Sequence, residues 1–184
     1  MEIAEALPPQ PSPLWRLVRQ VGVTHAVAML PRAAQGGEKP WDRGPVLRMK
    51  RALEAAGFTV SVVESSPPLD RARLGLPGGD EEIEQFITLI RSMGAAEIPV
   101  LCYNWMAVIP WSRTHVNLEG RGGALVTGYD HPAMEAQGLT EHGIVPEEQL
   151  WTALERFLQA VVPVAEECGV RLAMHPDDPP LSPV

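Results

Sequence analysis

Two hydrophobic periodicities alternate along the chain. Short apolar runs at residues 24–30, 58–63, 99–103 and 170–174 predict buried strands, each rich in Val, Leu or Ala and bounded by turn residues. Between them the apolar positions recur at helical spacing. Residues 14–21 predict a short helix that ends at Gly22, and Pro45, a good first helical residue, leads Val46, Leu47, Met49, Leu53 and Ala56 to a stop at Gly57. Asp80 is the predicted cap of a third helix, with Ile83, Phe86, Ile87, Ile90 and Met93 on its buried face and Gly94 as its stop. Pro146 opens a fourth over Glu147–Cys168, which Pro163 is expected to kink or split and Gly169 ends.

Repeated strand-then-helix units predict parallel strands joined by helical crossovers, an α/β fold. Residues 1–13, Pro-rich and polar, are expected as a flexible arm, and residues 14–184 as one domain. Two architectures accommodate the pattern: a doubly wound open sheet, or about the first four strands of a (β/α)8 TIM barrel. A closed barrel needs about 250 residues, and the chain has 184. The stretch 104–145, rich in Gly, Trp and His, is a long connection after the third strand, of a length that usually serves function or lacks order.

Composition narrows the partners more than the fold. Twenty-three acidic residues against 15 basic ones leave a net charge of -8 with no Lys/Arg cluster, which disfavours a nucleic acid backbone. No apolar run approaches the ~20 residues that span a bilayer, and the N-terminus lacks a basic leader. The two cysteines, Cys102 and Cys168, have no C-x-x-C spacing, so no disulfide framework is indicated and a cytoplasmic location is expected.

Candidate chemistry gathers where strands end. In parallel α/β folds ligands bind at the carboxyl ends of strands, and three of the predicted strands run into polar residues: Glu64-Ser65-Ser66, Tyr103-Asn104-Trp105 and His175-Pro176-Asp177-Asp178. The first strand ends more plainly, at Leu30-Pro31-Arg32. His175 suits a divalent metal as a neutral imidazole, with Asp177 or Asp178 orienting the ring or binding substrate hydroxyls. The competing reading is a solvated turn, because Asp and Pro favour turns for local reasons. Tyr103 and Asn104 are candidates for hydrogen bonds to a hydroxylated substrate, Trp105 and Trp111 for an apolar wall, and Arg113 for pairing with a carboxylate. Packing, for the tryptophans, and plain surface exposure, for Arg113, are the alternatives. His115, His131 and His142 are too scattered for a compact metal site, and Arg121-Gly122-Gly123 lacks the Lys-Ser/Thr of a phosphate loop. Cys102 reads as a buried strand residue, and Cys168 has no activating neighbour.

Several segments taken together resemble one family. Thr59-Val60-Ser61-Val62-Val63-Glu64-Ser65, Leu74-Gly75-Leu76-Pro77-Gly78, Cys102-Tyr103-Asn104-Trp105-Met106, Trp111-Ser112-Arg113-Thr114, and Val162-Pro163-Val164-Ala165-Glu166-Glu167 through His175-Pro176-Asp177-Asp178-Pro179-Pro180 resemble mannonate dehydratase, in that family's order. The resemblance implies a xylose-isomerase-like barrel and a hydro-lyase that converts D-mannonate to 2-dehydro-3-deoxy-D-gluconate and water in hexuronate (glucuronate) catabolism, using Mn2+ or Fe2+. It implies His175 as a metal ligand, with Asp177 and Asp178 in the same strand-end segment. The family's other ligands, a cysteine, a second histidine and an aspartate, belong to later strands that this chain lacks, and neither Cys102 nor Cys168 takes the cysteine's place. No residue is assigned as acid or base; Tyr103, Asn104, Arg113, Asp177 and Asp178 are the substrate-contact candidates. The chain alone is expected to be weakly active or inactive, with a homo-oligomer as one way to cover its open face. The alternatives are a non-catalytic sugar-acid binding module and another xylose-isomerase-like isomerase or epimerase.

Overall fold

The computed structural model describes residues 2–31 and 37–178. Arg32 and the Pro179-Pro180 pair therefore lie outside the described residues. The elements in chain order are β1 (Ala4–Leu7), α1 (Pro13–Gln20), β2 (His25–Ala28), α2 (Arg43–Ala55), β3 (Thr59–Glu64), α3 (Asp70–Arg73), α4 (Gly79–Ala95), β4 (Val100–Asn104), β5 (His115–Glu119), β6 (Leu125–Gly128), α5 (His131–Glu135), α6 (Glu147–Cys168) and β7 (Arg171–His175).

Five parallel strands form one sheet in the order β1-β2-β3-β4-β7, each beside its predecessor in the sheet. This monotonic order decides between the two architectures. A doubly wound sheet reverses its strand order and carries helices on both faces, whereas here α2 packs on α4 and α4 on α6 in a single layer. The architecture is part of a TIM barrel, an arc of strands backed by its helices. The helix-facing sheet residues Leu7, Ala26, Ala28, Val60, Val63, Leu101 and Tyr103 are buried, and they meet Val46, Met49, Leu53, Phe86, Ile90, Phe157 and Val161 in one core.

The arc holds one strand more than the four expected, because the N-terminal segment is not a loose arm throughout. Ala4–Leu7 pairs in parallel register with His25–Ala28. Leu7 is fully buried, and Trp15 Nε1 donates to the Pro8 carbonyl at 3.1 Å, tying the strand's exit to α1. Four residues with one strong apolar side chain carry too little periodicity to predict a strand; pairing with β2 satisfies their backbone and makes it one.

Three further expectations change in detail. Asp80 does not cap α4: Gly78, at φ 88°, holds the N-cap, and Asp80 sits in the first turn, paired with Arg156 of α6. Pro163 does not divide α6, which remains one 22-residue helix. Pro163 lies on its exposed side, where water can satisfy the carbonyl that the missing N–H frees, while Phe157, Val161 and Ala165 hold the opposite face in the core. Gly94 lies within α4 and does not end it, and there it lets α6 approach: a Cβ at this position would meet Cys168 Cβ and O at 2.8 Å.

The connection 104–145 is not one structureless loop. It carries the antiparallel hairpin β5–β6, turned through Arg121–Gly123, and the short α5, which Asp130 caps by accepting from Ala133 N at 2.8 Å. Among the described residues no helix is long and apolar enough to cross a membrane.

Candidate functional site

Strand alternation sorts the residues at the carboxyl end of the sheet. On β4, Leu101 and Tyr103 point to the helices and are buried, so Cys102 and Asn104 fall on the opposite face and are half-buried. On that face the register sets Glu64 beside Cys102, Cys102 beside Ala173, and Asn104 beside His175. Three strand ends therefore present Glu64, Asn104 and His175 along one rim.

Tyr103 belongs to the other face. Its ring lies 5.5 Å from those of Phe86 and Phe157, and Trp105 is 4.6 Å from Phe157, both residues being buried. Of the strand-end candidates, the Tyr103 ring is therefore packed in the core and not on the rim, and Trp105 packs against Phe157; the side chain one residue along from an inward-facing strand position points outward. Burial raises the Tyr103 phenol above its ordinary pKa.

Two segments remote in sequence converge over the rim. Arg113 Nη2 donates to Asp178 Oδ2 at 2.7 Å, and its Nη1 donates to the Ser112 carbonyl at 2.9 Å. The Trp111 ring meets that of His175 edge-on at 5.4 Å. The structure thus brings together His175, Asp178, Arg113 and Trp111, while Asp177 stands exposed beside them. His175 Nδ1 lies 2.7 Å from the Pro176 carbonyl, which has no proton to give, so the ring nitrogen is the donor; in the neutral ring this leaves the lone pair on Nε2. That tautomer suits metal ligation through Nε2.

One residue went unremarked in the sequence. Arg73, at the end of α3, donates through Nη2 to both the carbonyl and Oδ1 of Asn104, each at 3.0 Å, and its side chain is only 12% exposed. Its placement follows from α3. The first N–H groups of a helix lack internal partners, and Glu82 of α4 accepts two of them, from Arg71 and Ala72, at 2.9 Å each. Gly79 permits this approach, since a Cβ there would come within 2.9 Å of Ala72 Cα. Burial pulls the Arg73 guanidinium below its ordinary pKa, against the opposing charges of Asp70, Glu82 and Asp177. No local pattern marks such an arginine; only its position beneath the rim does.

Burial, and secondarily Glu64, raise the Cys102 thiol above its ordinary pKa, so it stays protonated at neutral pH. His115, His131 and His142 lie in the long connection; His115 contacts Thr114 Oγ1 and His131 the Tyr129 hydroxyl. A cleft of about 410 Å³ between Gly75 and the first turns of α6 has none of the rim residues in its lining. Among the described residues no three His, Cys, Asp or Glu side chains group to hold a metal ion. The rim fits one imidazole of a metal's coordination shell and does not by itself complete a site.

Comparison with known proteins bears on the family and the fold. The family profile of D-mannonate dehydratase (UxuA) matches residues 12–143 and 137–184. A mannonate dehydratase of Streptococcus equi subsp. zooepidemicus is 36% identical over 164 residues, covering 76% of this chain and 45% of the relative. One from Streptococcus pneumoniae is 35% identical over the same shares. The crystal structure of mannonate dehydratase from Streptococcus suis serotype 2 superposes with a TM-score of 0.81 at 31% identity, covering 99% of this chain and 54% of that one. A D-psicose 3-epimerase from Clostridium cellulolyticum, at 12% identity and a TM-score of 0.56, shares the fold alone. The chain spans about half the length of the curated relatives it matches. On the family profile, the parallel arc and the strand-end rim, the chain belongs to the D-mannonate dehydratase family.

Proposed function

We propose that this chain carries one side of a sugar-acid site whose ligand is D-mannonate, and that in a completed barrel the site removes water to give 2-dehydro-3-deoxy-D-gluconate. The observation that carries the reading is the rim itself: Asn104 in register with His175, under an Arg113–Asp178 pair, in a chain of this family. Arg113 and Asn104 bind and orient the polar groups of the acid, and Asp177 and Asp178 meet its hydroxyls. The family's metal, Mn2+ or Fe2+, supplies charge stabilisation for the carbanionic character that develops beside a carboxylate. His175 Nε2 is this chain's ligand for it.

The test is dehydration of D-mannonate with Mn2+ by this chain alone and by the chain completed with the carboxy-terminal half of the Streptococcus suis relative. Activity that depends on completion is expected. A completed, folded form that yields no 2-dehydro-3-deoxy-D-gluconate overturns the reading.

The lack of a three-ligand group among the described residues favours one second reading, a sugar-acid binding module without turnover. Calorimetry distinguishes it: mannonate affinity unchanged by chelator, with no product, supports the module over the dehydratase.

A further inference from the structure

Asn104 has a carboxamide with two faces of opposite chemistry, an acceptor oxygen and a donor NH2. Two donors converge on one of its atoms: Arg73 Nη2 at 3.0 Å and the Met106 backbone N–H at 3.3 Å. An atom that receives two N–H groups is the oxygen, so both Oδ1 lone pairs are engaged within the protein. Nδ2 has no partner among the described residues and is not buried. It lies on the open face of β4, in register with His175.

From this geometry we infer that Arg73 is a positioning residue: by holding Oδ1 it fixes Asn104 with its NH2 toward the rim, so that Asn104 is a hydrogen-bond donor that selects an oxygen acceptor, a carboxylate or hydroxyl oxygen, in the ligand. The inference rests on the proposal that a sugar acid binds at this rim. Free, an asparagine amide rotates and offers either face. Held, it discriminates by polarity, because a donor facing a donor leaves both unpaired in a partly desolvated site. Arg73 is suited to the task by its own confinement. The Arg73 side chain is nearly buried, and its Nη1 lies 3.6 Å from the exposed Asp70 carboxylate, so the guanidinium has little room to leave Asn104.

The test separates the orientation from the identity of the ligand. Nitrogen-15 relaxation on the full chain reads the order of the Asn104 side-chain amide, whose signal is assigned by its loss in Asn104→Asp. High order in the wild type, a fall in Arg73→Met and recovery in Arg73→Lys, which still donates to Oδ1, are expected. A wild-type amide as mobile as an exposed asparagine, or equal order in wild type and Arg73→Met, overturns the inference. If Arg73→Met does not fold, Arg73→Gln, polar but too short to reach Oδ1, takes its place: a fall in amide order supports the inference, and order equal to the wild type overturns it.

Calorimetry with D-mannonate forms the second arm. Asn104→Asp keeps an acceptor for Arg73 but offers an acceptor to the ligand, and a loss of about tenfold or more in affinity is expected. Undiminished affinity in Asn104→Asp overturns the donor assignment. Absence of binding by the wild type counts against the mannonate reading, and the relaxation arm still decides the role of Arg73.

Discussion

Arg113 Nη2 and Asp178 Oδ2 meet at 2.7 Å although 65 residues separate them. The contact joins the long connection after β4 to the segment after β7, and with Trp111 against His175 it roofs the carboxyl end of the sheet.

This pair orders a loop more than it stabilises the fold. Its side chains are 32% and 42% exposed, where water and salt screen the attraction, so Arg113→Ala and Asp178→Ala are expected to cost less than about 1 kcal/mol of unfolding free energy each. A double-mutant cycle by urea denaturation measures the coupling. A coupling well above 1 kcal/mol, or one insensitive to salt, would contradict this placement.

The aromatic cluster behind the rim has the opposite weight. Phe157 is fully buried, with ring centroids of Trp105, Phe86 and Tyr103 at 4.6, 5.0 and 5.5 Å. Phe157→Ala is expected to lose about 3–5 kcal/mol through lost burial and the cavity left behind. The midpoint of chemical denaturation reports it; a shift worth under 1 kcal/mol means that α6 is not clamped to the sheet at this point.

Tyr103 gives that cluster a pH dependence. Burial raises its pKa, so the folded chain binds more protons than the unfolded one between the ordinary phenol value, about 10, and the higher folded value. The contribution is complete below about pH 10 and is lost as pH rises through the folded pKa. Thermal unfolding between pH 8 and 11 should show a steeper alkaline loss in the wild type than in Tyr103→Phe. Identical slopes would remove Tyr103 from the account.

His175 offers one ligand, and affinity should reflect that. Mn2+ is expected to bind this chain no more tightly than about millimolar, ~4 kcal/mol, and His175→Ala should abolish even that. Electron paramagnetic resonance of free Mn2+ measures both. Micromolar binding by the wild type would show that other side chains of this chain join the shell.

Much of the fold was readable because its apolar periods are strong. The runs that became β2, β3, β4 and β7, and the long apolar face of α6, follow from burial on one side or two. Where the signal was short it failed. β1 has one large apolar residue, Leu7, and α3 is a single turn of four residues, too short to show a helical period. Each is held by partners elsewhere, β1 by the ladder of β2 and α3 by the Glu82 carboxylate.

The candidate site divides in the same way. Strand-end position alone pointed to Asn104, His175, Asp177 and Asp178, because parallel strands deliver their last residues to one edge. Which face each residue takes depends on the sheet. Tyr103 and Asn104 are neighbours in sequence and were read together, yet alternation and the packing of Phe86 and Phe157 send one to the core and the other to the rim.

By itself the sequence determined the α/β class, the parallel strand-helix repeat, the acidic surface and the family, all of which rest on composition, local period and ordered motifs. Tertiary structure decided the monotonic strand order, the Arg113–Asp178 contact and the hold of Arg73 on Asn104. Those depend on distances between segments far apart in the chain, and they exist only once crossovers, burial and register have set the strands side by side.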